Sequence, residues 1–221
     1  MKTEIYTADL SIFDDVSFYE KAWSELTEKR RKKALSIRNE KDRKLSVGVE
    51  WLLLDSLQKL GIDKRDITFC YGSNGKPYIE GAEKLYFNLS HSGEKMMCAV
   101  SEREIGCDVE QIKDCRMGVA EHFFCESEYR FIQAQKTEEE RRDMFFRFWT
   151  LKESFMKATG LGMRLPLRDF EIQIGEDGVS VKQKADPRIW YMKELDIGNG
   201  YKGAVCGLDP QITKGISLVS G

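Results

Sequence analysis

The sequence predicts an α+β fold built from two similar halves that meet near residue 103. Two observations carry this. A helix followed by two hairpins recurs in each half, and residues 94–100 (EKMMCAV) and 199–205 (NGYKGAV) share a weak pattern at corresponding places. The alternative is a chance ordering of helices and hairpins, which any α+β chain can show. Length agrees with two fused units, since 221 residues exceed the usual single core and fall short of two ordinary domains. The expected division is residues 1–103 and residues 104–221.

The first half opens on a strand at residues 4–7. Two helical segments follow, at 18–37 and 41–60. In the second, Val47, Trp51, Leu54 and Leu57 recur at helical spacing and Gly61 supplies a stop. Residues 67–71 and 77–79 form a hairpin around Asn74-Gly75, a pair that tolerates the positive φ of a tight turn. Strands at 85–89 and 96–101 complete the half. The second half repeats the order with a helix at 141–159, a hairpin at 170–174 and 179–182, and strands at 189–195 and 201–208.

Composition narrows the class. A 41% hydrophobic and 33% charged chain has the material for a real core and the surface of a soluble protein. No apolar run approaches the ~20 residues of a membrane span, and the N-terminal stretch lacks signal-peptide character, so no membrane association and a cytoplasmic location are expected. Cys70, Cys98, Cys107, Cys115, Cys125 and Cys206 form no CxxC pair. With only His91 and His122 beside them, reduced thiols are expected rather than a zinc site. A formal charge of −2 argues against a nucleic-acid partner, although Lys29, Arg30, Arg31, Lys32 and Lys33 make one basic run.

Four segments carry chemistry. In Ile105-Gly106-Cys107-Asp108-Val109-Glu110 the strand alternation puts Asp108 and Glu110 on one face. Neighbouring carboxylates face bulk water, share a proton or bind a cation, and hard oxygen ligands suit magnesium. In the helix around Phe148-Trp149-Thr150-Leu151-Lys152-Glu153, the residues Trp149, Glu153 and Lys157 fall on one face beside an apolar stripe of Phe145, Phe148, Leu151 and Phe155. A surface ion pair accounts for that spacing equally well. Phe87-Asn88-Leu89-Ser90-His91-Ser92-Gly93 reads as a strand ending in a small polar turn, where hydroxyl, imidazole and N–H groups can meet an anion, or where His91 is a plain surface residue. Gly75-Lys76-Pro77 sets a lysine beside a rigid residue.

In this order and at these separations, GKP, FNLSHSG, IGCDVE and FWTLKESFMK resemble the motifs of the phosphopantetheinyl transferase superfamily, in its long, two-halved type. The resemblance spans residues 29–157. It implies an intramolecular pseudo-dimer of two α+β halves with coenzyme A in the cleft between them, a Mg2+ ion, and transfer of the 4'-phosphopantetheine arm to a serine of an apo acyl or peptidyl carrier protein. Asp108, Glu110 and Glu153 would hold the metal. Lys157 would face the diphosphate, while Lys29, Lys32, Lys76, Ser90 and His91 would contact the phosphates and adenosine of coenzyme A. Glu128 would be the general base. Because both halves lie in one chain, a monomer is expected, unlike the short type that builds its cleft between subunits.

Overall fold

The computed structural model of the chain describes residues 3–82, 84–114, 118–176, 178–212 and 216–218. The first half runs β1 (Glu4–Asp9), α1 (Val16–Glu25), α2 (Glu28–Ser36), α3 (Glu40–Lys59), β2 (Phe69–Tyr71), β3 (Pro77–Ile79), β4 (Tyr86–Ser92) and β5 (Lys95–Ser101). The second runs β6 (Ile105–Gln111), α4 (Gly118–Phe123), α5 (Glu126–Gln133), α6 (Glu138–Thr159), β7 (Phe170–Gly175), β8 (Gly178–Gln183), β9 (Tyr191–Leu195), β10 (Tyr201–Gly207) and β11 (Ile216–Leu218).

Two main sheets form, ordered β11-β1-β5-β4 and β6-β10-β9, beside the separate hairpins β2-β3 and β7-β8. Strand alternation decides what each face meets. On β5, Met96, Cys98 and Val100 face α3, while Met97 and Ala99 turn the other way and join Ile105, Cys107, Val109 and Val205 of the second sheet. On β10, Ala204 and Cys206 face the α6 side. The layers are therefore helix, sheet, sheet, helix, with an apolar cluster shared between the halves.

Each long helix approaches its sheet at a glycine. A Cβ on Gly48 of α3 would lie 2.1 Å from Met96 Sδ. One on Gly106 of β6 would lie 2.2 Å from Ser154 O and 2.3 Å from Ala158 N, which are backbone atoms of α6 that cannot rotate away. Gly106→Ala is expected to force the helix off the strand at a cost of about 1–3 kcal/mol or more. A melting temperature equal to wild type, with unchanged transfer, would remove this close approach as the reason for glycine.

Several elements differ from expectation. The helix expected at 18–37 breaks at Leu26 and Thr27. Thr27 is extended (φ −62°, ψ 150°), caps α2 through its hydroxyl, and is itself held by the buried Glu50. Helices α4 and α5 lie between the elements predicted for the second half. The FNLSHSG segment stays a strand through Ser92, and the turn waits for Gly93 (φ 62°). The C-terminal β11 returns to the first half and pairs in parallel with β1, Ile5 opposite Ile216, so the two halves are tied across the 103 boundary. Among the described cysteines all are free, with Cys98, Cys107 and Cys206 buried and Cys70 and Cys125 part-buried. Cys115 lies outside the described residues.

Candidate active site

The two sheets meet along β4 and β6, and there the ladder is made by side chains. Asn88 Oδ1 accepts from Cys107 N (3.0 Å), Ser90 Oγ from Val109 N (3.3 Å) and Ser92 Oγ from Gln111 N (3.2 Å). Alternate polar residues of one strand thus satisfy alternate amides of the other, which no backbone ladder serves. The two hydroxyls then spend their protons on the acidic strand. Ser90 donates to Asp108 Oδ1 at 2.8 Å and Ser92 to Glu110 Oε2 at 2.6 Å.

Gly106, Asp108 and Glu110 share the face of β6 that meets α6. With no side chain at Gly106 the helix lies close, and Lys157 and Glu153, one turn apart, arrive over Asp108. Lys157 Nζ donates to Asp108 Oδ1 at 2.6 Å and to Ser90 Oγ at 3.1 Å. Burial works against the Lys157 charge, but the Asp108 carboxylate and then Glu153 outweigh it and raise its pKa. For all three acids burial is the largest influence and raises the pKa. At Asp108 it exceeds the help of Lys157 and Ser90, at Glu110 that of Ser92, and at Glu153 it is reinforced by Asp108 and Glu110. Three carboxylates thus gather about the Lys157 ammonium, with the charge of Lys113 also acting on Glu110.

Asp108 Oδ2 is buried and has no hydrogen-bond partner. A buried carboxylate oxygen left this way is costly unless something positive meets it. Among the described residues no three His, Cys, Asp or Glu side chains already converge on one point. The donor set is nonetheless all oxygen, short of positive charge and open at Asp108 Oδ2, which fits a hard divalent cation.

Across the seam, α2 presents cations. Lys29 and Lys33 are one turn apart and Arg30 lies beside them, so the three share a side of the helix. They line a cavity of about 250 Å³ with Tyr71, Gly75 and Pro77. Lys29 Nζ lies 3.5 Å from the centre of the Tyr71 ring, and Arg30 Nε is held at 2.9 Å by Glu50. His91, on β4, is exposed by area but lies within reach of the charges of Lys157, Lys33 and Arg30. Desolvation there, followed by these three charges, lowers its pKa from the usual 6.5.

The sequence-derived site residues divide accordingly. Asp108, Glu110, Glu153, Lys157, Lys29 and His91 gather about the seam. Lys32 does not: it pairs with Glu28 at 2.6 Å on the open side of α2, both side chains 74% exposed, whereas Lys33 lines the cavity. Ser90 donates to Asp108 and accepts from Val109 N and Lys157 within the seam. Lys76 turns inward, donating to Ile105 O (2.9 Å) and Ala158 O (2.8 Å).

Glu128 lies away from the seam. It is 1% exposed and packs against Lys152, itself fully buried, with Oε1 to Nζ at 2.8 Å. Oε1 also accepts from Ile172 N (2.7 Å) and Oε2 from Cys125 N (2.9 Å), so both oxygens are engaged. Lys152 precedes Glu153 and therefore points about 100° away around α6. That direction is the core with Phe124 and Phe170, not the acidic face.

Sequence reasoning left open which residues of the basic run 29–33 face the cleft and gave no role to Asn88, Ser92 or Glu50. The polar residues 88, 90 and 92 do alternate with period two, a strand signal that the small residues of the segment masked.

A family profile described as the 4'-phosphopantetheinyl transferase superfamily matches residues 104–206. The 4'-phosphopantetheinyl transferase Sfp of Bacillus subtilis (strain 168) is 38% identical over 160 residues, 72% of this chain and 71% of that protein. A further 4'-phosphopantetheinyl transferase of Bacillus subtilis is 33% identical over 192 residues, 86% of this chain and 85% of that protein. A solved holo-(acyl-carrier-protein) synthase from Bacillus anthracis in complex with CoA has a TM-score of 0.42 at 18% identity, over 48% of this chain and 94% of that one.

Proposed function

This chain belongs to the 4'-phosphopantetheinyl transferase superfamily, and from that premise we propose that the β4–β6 seam is where the phosphopantetheine arm passes from coenzyme A to a carrier serine. The protein is a transferase of apo carrier proteins. The observation that carries the site assignment is the orphaned Asp108 Oδ2 beside Lys157, with the basic face of α2 across the cleft.

On this reading coenzyme A spans the seam. Its nucleotide phosphates lie toward Lys29, Lys33 and His91, and its diphosphate toward Lys157. Asp108, Glu110 and Glu153 would hold Mg2+, which supplies Lewis-acid stabilisation of charge on the diphosphate oxygens. Lys157, kept charged by Asp108, adds a fixed positive charge at the same place. The carrier serine oxygen forms its bond to the phosphorus nearer pantetheine as the bond to adenosine 3',5'-bisphosphate breaks. With Glu128 turned into the core, we assign acceptance of the serine proton, directly or through one water, to Glu153, the seam acid that Ser90, Ser92 and Lys157 do not hydrogen-bond. Ser90 and Ser92 keep Asp108 and Glu110 in register. Both halves of the site come from one chain, which supports action as a monomer, and we place that action in the cytoplasm.

The test is intact-mass analysis of a panel of apo peptidyl and acyl carriers incubated with the protein, coenzyme A and Mg2+. The phosphopantetheine mass should appear on at least one carrier and vanish with chelator. A protein that binds coenzyme A but leaves every carrier mass unchanged would be a binding module instead.

His91 offers an independent check. Only two histidines are present, so an H122N variant leaves one imidazole signal to titrate. In the free protein it should titrate below 6.5, because the cleft is desolvated and cationic. Adenosine 3',5'-bisphosphate should move it upward, since an anion favours the imidazolium, and affinity should correspondingly weaken as pH rises through the shifted value. A titration indifferent to that ligand would place the phosphates elsewhere.

A further inference from the structure

The phosphate-facing cations sit on the first half and the acids with Lys157 on the second, so a donor that spans both needs their separation fixed. The β2–β3 hairpin is built to fix it. Its turn closes with Gly75 at φ 80° and Gly72 N–H donating to Lys76 O at 2.9 Å. From this turn Asn74 Nδ2 donates to Gly160 O (3.0 Å), and Lys76 Nζ to Ala158 O (2.8 Å) and Ile105 O (2.9 Å).

All three acceptors belong to the other half. Two are carbonyls at the C-terminal end of α6, which have no partner within the helix and favour a cation. The third is at the start of β6. Ala158 follows Lys157 directly, so the turn grips α6 next to the residue that faces Asp108. One side of the hairpin, through Tyr71, Gly75 and Pro77, walls the basic cavity, and the other meets a second cavity of about 320 Å³ against Ala158, Thr159 and Gly160. The hairpin is anchored in the first half by the buried Ile79 and by Phe69 against Phe87. Burial, only partly offset by Glu104, brings the Lys76 ammonium down to about 8, as expected of a group sealed into an interface rather than aimed at solvent-borne phosphate.

We propose that Asn74 and Lys76 form a latch that sets the register of the nucleotide cavity against the lysine-bearing end of α6, so that both are positioning residues for the bound donor. The latch rests on coenzyme A spanning the seam. It has a signature that a plain cavity wall lacks. A fragment that fills only the nucleotide end needs no register between the halves, whereas transfer does.

The experiment compares Lys76→Met and Asn74→Ala with wild type in two measurements: calorimetric binding of adenosine 3',5'-bisphosphate, and kcat/KM for loading an apo carrier from coenzyme A. The latch predicts fragment affinity within about twofold of wild type and transfer down about tenfold or more, since small misplacement of a reacting group is costly. Lys76→Arg, which keeps charged donors, should recover part of the loss. Asn74→Ala removes an exposed side chain and keeps the test available if Lys76→Met does not fold. Fragment affinity falling in step with transfer would make the hairpin only a cavity wall, and unchanged transfer in both variants would remove the latch. Wild-type protein that loads no carrier would overturn the functional reading itself, a distinct result.

Discussion

Asp108→Asn is expected to lower kcat/KM for carrier loading by more than ~10²-fold while leaving the fold in place. Groups that merely orient metal ligands cost 10–100-fold when removed, and a ligand oxygen should cost more. Asparagine preserves the shape and can still accept from Ser90 and Lys157, so the variant isolates the charge. Its folding should be little affected. The substitution removes a buried charge that is already disfavoured, and in exchange leaves Lys157, still 28% exposed, with less compensation. Mg2+ titrated in the presence of coenzyme A should bind more weakly in the variant. Near wild-type turnover at saturating Mg2+ would show that Asp108 is not a ligand. A melting temperature many degrees lower would show instead that its role is to neutralise Lys157.

How much of this was legible in the sequence follows from how local each feature is. Asp108 and Glu110 could be placed on one face because a strand alternates, and Glu153 with Lys157 because a helix repeats. Gly106 completes the face, and its reason appears only when α6 is seen lying on it. The basic run was legible as a charge but not as a direction. Lys32 and Lys33 are neighbours in sequence, yet helix rotation sends one to Glu28 and solvent and the other to the cleft. The seam had no conventional signature, since sheets are read from backbone pairing and here Asn88, Ser90 and Ser92 replace it with side chains. Lys76 stands beside a turn glycine, which suggests an exposed tip. Only the arrival of α6 from 82 residues away turns it into an interface group. The return of β11 to β1 likewise depends on a long-range pairing that a three-residue strand does not advertise.

Glu128→Gln is the sharpest test of where local reading fails, because a carboxylate after an aromatic pair looks like a base and packs like a core ion pair. The amide oxygen could still accept from Lys152 beside Leu167 O and Phe170 O, each at 2.7 Å, but the buried ammonium would have no negative partner. The substitution would also put an amide group where Ile172 N and Cys125 N both donate. Breaking a buried pair from one side costs about 3–5 kcal/mol, which in a chain of this size lowers the melting temperature by roughly 6–20 °C. Removing both charges together, as Glu128→Met with Lys152→Met, should return much of that loss, because well-packed apolar replacements of buried pairs are often neutral. Activity should separate cleanly from stability. Below its melting temperature the folded Glu128→Gln enzyme should keep kcat within a few-fold and retain the acidic limb of its pH–rate profile, which on the proposed mechanism reports Glu153. A general base would behave in the opposite way, with stability intact, kcat down ~10²- to 10⁴-fold and the acidic limb gone. Thermal melts and pH–rate profiles on the same preparation distinguish the two. A stable, inactive Glu128→Gln enzyme would return Glu128 to the chemistry and require α5 to move it out of the core during turnover.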